Sequence, residues 1–163
     1  MEKHDDSCLE DLKKSYLEIQ SKYTLPDFDK LNRDFQIEKI SQEETDYLIR
    51  EVRKYVADKL ANYMRLIESI LNPVSVPIFV FSIIKTLQTE DKNKLTEIYK
   101  KLSKNEINLI EMDLELSEEK EAEFIKNSCK IWDEIKIDLI KIVEVIKNNW
   151  DTKFGVNHKG YFG

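Results

Sequence analysis

Glycine and proline are scarce, three of each in 163 residues, and all three glycines come after residue 154. A body without glycine cannot easily form the tight, positive-φ loops of phosphate-cradling or nucleophile-elbow motifs, and none of those motifs appears. A loop-rich β-sandwich fits this composition poorly for the same reason. Histidine is nearly missing as well. His4 and His158 stand near the two ends, and no HExxH, no ExxH pair and no His/Cys zinc spacing occurs. These absences exclude a conventional zinc or carboxylate–histidine iron site, and we assign no catalytic residues, no metal ligands and no cofactor. Cysteine is limited to Cys8 and Cys129, far apart and outside any CxxC pattern, so both read as reduced thiols.

Long apolar runs are absent too. The strongest, Val74 to Ile84, is broken by Ser75, Pro77 and Ser82 and falls short of the about 20 residues a bilayer span needs. The opening Met-Glu-Lys-His-Asp-Asp is polar and acidic, unlike a signal or transit peptide. A cytoplasmic protein without a membrane partner is the expectation.

Charge and helical spacing are what the chain does have. Charged residues make up 36% and apolar ones 41%, with 26 basic against 32 acidic side chains for a net of −6. That balance weakens any whole-chain attraction to a phosphate backbone but leaves room for a local basic face. Leu9, Leu12, Tyr16, Ile19 and Tyr23 repeat at three and four residues, the spacing of one buried helix face, and Pro26 ends the run. Asp27 can cap a short helix carrying Phe28, Leu31 and Phe35.

Ser41-Gln42-Glu43-Glu44 has the capping-box pattern and predicts a helix over about 42–71, closed by Asn72-Pro73. Its apolar line is Leu48, Val52, Val56, Leu60, Tyr63, Ile67 and Ile70. Ile78 to Ile84 is apolar on every side, so periodicity cannot separate a central helix from a central strand; its helical neighbours favour helix. Thr89 and a second capping box at Ser103-Lys104-Asn105-Glu106 predict two further helices. The first carries Leu95, Ile98, Tyr99 and Leu102, and the second Ile107, Ile110 and Leu114. Ser117-Glu118-Glu119 opens the last long element, over about 118–150, to which Phe124, Ile125, Cys129, Trp132, Ile135, Leu139, Ile142, Val143, Ile146 and Trp150 give a broad apolar face. Between Ile135 and Ile146 the alternation also resembles a strand, but no turn bounds it.

The fold class is all-α. We expect a single-domain bundle over residues 1–150, built on two long helices packed roughly antiparallel with shorter ones between. A glycine- and aromatic-bearing tail follows over 151–163.

Three function classes follow from these residues. The first is a non-enzymatic helical interaction or scaffold protein, with a protein partner or a second copy as ligand. Its candidate surface is Phe79, Phe81 and Ile84 on the apolar segment, with Phe154, Tyr161 and Phe162 in the tail. The apolar segment is read foremost as core, and as an interface secondarily. The second class is a nucleic-acid-associated protein. Arg50, Arg53 and Lys54 fall on one side of the long helix and form a candidate anion-binding face, with Tyr47, Tyr55 and Tyr63 along the same helix. The third is a carboxylate–magnesium enzyme or small-ligand binder. It would use the ExxE at Glu118 and the ExxD at Glu43, both of which helix capping also accounts for.

Overall fold

The computed structural model describes residues 2–43, 45–115 and 117–154, with side chains over 7–150 apart from positions 44 and 116. It is all-α: among these residues there are six α-helices, one 3-10 helix and no strand. The helices are α1 (Glu2–Tyr23), α2 (Phe28–Phe35), α3 (Leu48–Leu71), α4 (Ile78–Thr86), α5 (Thr89–Leu114) and α6 (Glu118–Phe154), with the 3-10 helix at Ile37–Gln42. Contacts divide the described residues into two compact units, those of 2–61 with 104–130, and those of 62–103 with 131–154.

In the first unit, α1 ends where Thr24 takes a left-handed φ of 55° and Leu25 N–H reaches back to the Gln20 carbonyl at 3.2 Å. Asp27 then caps α2, accepting from Lys30 N–H at 2.8 Å, and Phe28, Leu31 and Phe35 are all buried as their spacing requires. The expected start of the next long helix needs correction from 42 to 48. Ser41 and Gln42 close the 3-10 helix, whose Ile37 and Ile40 are buried, and Glu43 is extended. The Glu43 carboxylate accepts from the Tyr55 hydroxyl at 2.7 Å rather than closing a capping box. That bond favours the neutral phenol and pushes Tyr55 up to about 12.

The second expected capping box is also overruled, because α5 passes through Ser103 without a break. Its buried line runs Leu95, Ile98, Leu102, Asn105, Met112, with Leu109 half-buried, at steps of three and four. Asn105 is the polar member of that line; its carbonyl oxygen accepts from the fully buried Ser128 hydroxyl at 3.1 Å. The row expected at helical spacing on a separate helix, Ile107, Ile110 and Leu114, lies on the other side of α5 and is exposed. Residues 135–146 are helical within α6, which runs on to Phe154 because no glycine precedes 155.

Helix directions differ from expectation as well. In the first unit Arg50 meets Glu121, and Ala57 shares a cluster with Phe124, so α3 and α6 run parallel rather than antiparallel. It is α5 that opposes α3: Arg53 meets Asp113 in the first unit, and in the second Met64 meets Ser103 while Glu68 meets Tyr99. The three-residue connection after α5 allows only an antiparallel neighbour, which leaves α3 and α6 aligned.

The second unit explains the apolar segment. Residues 78–86 form α4, with Val80, Ile83 and Thr86 buried. Asn149 Nδ2 of α6 donates to the Thr86 carbonyl at 3.0 Å, satisfying one of the acceptors that a helix end leaves open. Among the described residues the remainder of the unit's core is Ile67, Ile70, Leu87, Leu95, Ile98, Leu102, Trp132, Ile135 and Ile142.

Candidate functional site

Arg50, Arg53 and Lys54 do not form one solvent-facing basic patch. Lys54 Nζ is 2.7 Å from Glu51. Arg50 Nε donates to the buried Glu121 carboxylate at 3.0 Å and lies over the Tyr47 ring at 5.1 Å. That hydrogen bond and the Glu121 charge raise the Arg50 pKa and hold the guanidinium protonated. Arg53 is itself buried, with Nη1 3.6 Å from Asp113. The helical wheel places the three cations together, but the buried Glu121 of α6 draws Arg50 inward, and Arg53 is buried with the half-exposed Asp113 of α5 as its ion-pair partner. No signal within α3 alone could have shown this.

Three carboxylates of the two acidic motifs have partners within the fold. Glu121 holds Arg50, and Glu43 holds Tyr55. Glu118 accepts from Lys22 Nζ at 3.0 Å and from the Tyr23 hydroxyl. Among the described residues no group of three or more His, Cys, Asp or Glu could hold a metal ion. Cys129 is buried beneath the apolar face of α6. His4 lies in α1 with its side chain outside the described residues, as does all of His158.

The Glu118 cluster has a pH signature. Its donors, the phenol foremost, hold the Glu118 carboxyl below the usual carboxylate range. A carboxylate depressed in the folded state stabilises fully above its ordinary value of 4.5, and that contribution is lost as pH falls through the folded value. Urea midpoints measured on acidification below pH 4.5 should therefore fall, and Glu118→Gln should remove part of that slope. Both partners are exposed, so the effect is small and shrinks further in salt.

The interaction candidates stand out more clearly. On α4, Ile78 is 86% exposed, Phe79 63% and Phe81 48%, and Val74 just before the helix is 77% exposed. Only Val80, Ile83 and Thr86 of this helix are buried, so the expectation of a wholly central core element is corrected to a half-submerged helix. Ile84 is half-buried at the boundary. Phe79 rests against Trp150 with centroids 5.9 Å apart, and the Lys85 ammonium lies 4.6 Å from the Phe81 ring. Phe154 is the last described residue and ends α6, its side chain not described; Tyr161 and Phe162 lie outside the described residues.

Two surfaces were missed by looking for single buried stripes. On α5, Ile107, Ile110 and Leu114 make an exposed apolar row. In the second unit, α3 and α6 enclose a groove of about 430 Å³, lined by Tyr63, Leu66, Ile70, Trp132, Leu139 and Val143 among others. The Tyr63 and Trp132 rings meet there with centroids 5.3 Å apart and planes tilted by 50°. Ile137, Ile140 and Val143 stand exposed on α6, the latter two lining the groove. The available signal was the alternation over 135–146, which records apolar residues on two sides of one helix.

Among the described residues, no helix is long and apolar enough to cross a membrane. The chain matches no family model, no curated protein and no solved structure.

Proposed function

We propose that this chain is a non-enzymatic interaction protein that works by presenting apolar helix faces to other protein surfaces. One observation carries this reading. α4 is anchored by Val80, Ile83 and the Thr86–Asn149 hydrogen bond, yet it leaves Ile78, Phe79 and Phe81 in water. A helix held on one side and greasy on the other is preorganised for a partner, which then contributes burial without the cost of ordering the helix. Burying such side chains stabilises a complex by roughly 1.5–3 kcal/mol each, before the entropy of association is subtracted. A cytoplasmic setting belongs to this reading, and the low cysteine content supports it.

The test compares the full chain with a Phe79→Asp, Phe81→Asp double variant, each immobilised at matched density. Helix content should be the same by circular dichroism, since both rings are exposed. Proteins captured from cell extract by the wild type should fall about tenfold or more with the variant, as quantified by mass spectrometry. Equal capture by both chains would overturn α4 as the binding face.

A further inference from the structure

We propose that α6 is also a self-pairing helix, its exposed seam between Asp133 and Lys147 docking antiparallel on the same seam of a second copy. The proposal rests on the reading of this chain as an interaction protein and names one partner for it. The apolar part of the seam is Ile137, Ile140 and Val143, exposed at 59%, 51% and 47%. Flanking them are Asp133 and Lys136 on one side and Glu144 and Lys147 on the other. The spacings from Asp133 to Lys147 are threes and single steps, which keep all seven residues within one strip of an α-helix about 21 Å long.

The order of charges identifies the partner. Read forward, the seam is acidic, basic, apolar, acidic, basic. Turned end for end about Ile140, each charge meets its opposite. Asp133 faces the second copy's Lys147, Lys136 faces Glu144, Ile137 faces Val143, and Ile140 meets itself on the axis. A twofold contact requires this self-complementarity, in which each residue i meets j while j meets i. A foreign partner would impose no such symmetry on one helix. Parallel pairing in register would set like charges against each other at all four charged positions, so the antiparallel arrangement is selected.

Local contacts shape the seam for this use. The Lys136 ammonium lies 6.0 Å from the Trp132 ring of the same helix. On one flank Lys136, Ile140, Val143, Glu144 and Lys147 border the 430 Å³ groove, giving a second copy depth to fill rather than a flat surface. The opposite side of α6, through Ile135 and Ile142, is buried in its own unit and is unavailable. Of the exposed sides of α6, this strip is the one that carries Ile137, Ile140 and Val143.

Sedimentation velocity of the full chain over a range of concentrations tests the idea. The wild type should approach twice the 19.4 kDa of one chain at about 100 µM, and strict monomer there overturns the proposal. Ile140→Asp sets two carboxylates together on the axis and should weaken the dimer about a hundredfold, with helix content unchanged because the position is half exposed. Lys136→Glu alone should weaken it about tenfold, since a like charge then faces Glu144 in both symmetric contacts. Adding Glu144→Lys to that variant should restore dimerisation. A double variant as dissociated as the single one overturns the antiparallel register. The α4 capture assay separates the two readings: loss of the dimer with capture intact removes the seam alone, whereas a dimer whose captured partners ignore Phe79 and Phe81 removes α4 and keeps the seam.

Discussion

Ile83→Asp should unfold the chain, whereas Phe81→Asp, two residues earlier on the same apolar helix, should leave it folded. The two side chains point to opposite sides of α4, Ile83 buried at 7% exposure and Phe81 at 48%. A carboxylate at position 83 would enter a site with Val80 and Thr86 on its own helix, and among the described residues no cation is buried in its unit. Burying an unpaired charge costs several kcal/mol, and a typical domain has only about 5–15 to lose. The carboxylate escapes that cost only by taking up a proton, its pKa raised, or by detaching α4, which removes the packing of Val80 as well. At position 81 the new carboxylate remains in water and gains Lys85, four residues on, at the spacing of a favourable helix pair. Far-UV circular dichroism and a urea melt distinguish the two variants. Equal loss of structure in both would mean that Phe81 is core after all.

The second large effect is expected in the first unit, at Tyr16. This ring is completely buried, packs edge-on against Phe28 at 5.5 Å, and donates its hydroxyl hydrogen to the Pro26 carbonyl at 2.5 Å. It thereby ties α1 to the turn that launches α2. Tyr16→Ala should cost about 3–5 kcal/mol, the usual result of emptying a buried aromatic site. Tyr16→Phe keeps the ring and loses only the hydrogen bond, worth about 1 kcal/mol.

Those two variants divide packing from polarity, and pH gives a further check. Burial pushes the Tyr16 phenol well above its ordinary value of 10.0. A group whose folded pKa is raised contributes stability below its unfolded pKa and loses it as pH climbs toward the folded one. Stability should therefore decline above pH 10, and Tyr16→Phe should remove part of that decline. A variant with an unchanged alkaline slope would show that the phenol is not shielded.

Much of this architecture was legible before any coordinates. Asp27 caps α2 and Ser117 caps α6, the latter accepting from Lys120 N–H at 3.2 Å, as the sequence of each cap implies. Both caps are local, since donor and acceptor lie three residues apart. Ser41 and Ser103 have the same local pattern and cap nothing. The first sits in a 3-10 turn whose isoleucines are buried, and the second turns its hydroxyl toward Met64 Sδ at 3.8 Å. A capping box is worth about 1 kcal/mol, less than the burial of one isoleucine, so tertiary packing outweighs it.

The chain's own composition determined that it is helical. With glycine confined to the end, proline at only three positions, and apolar residues returning every three or four, no other regular structure could satisfy the backbone and gather an apolar face. What it could not determine is which face goes inside where a helix has two. α5 carries both the line through Leu102, Asn105 and Met112 and the row of Ile107, Ile110 and Leu114, and α6 carries both Ile135 with Ile142 and Ile137 with Ile140. Hydrophobic attraction is nondirectional, so each helix alone is indifferent between its two faces. The choice was made by neighbours distant in sequence: Ser128 supplying Asn105 with a hydrogen bond, and Glu121 drawing in Arg50. Those contacts left the other rows outside, and the outer rows are the surfaces from which the function is read.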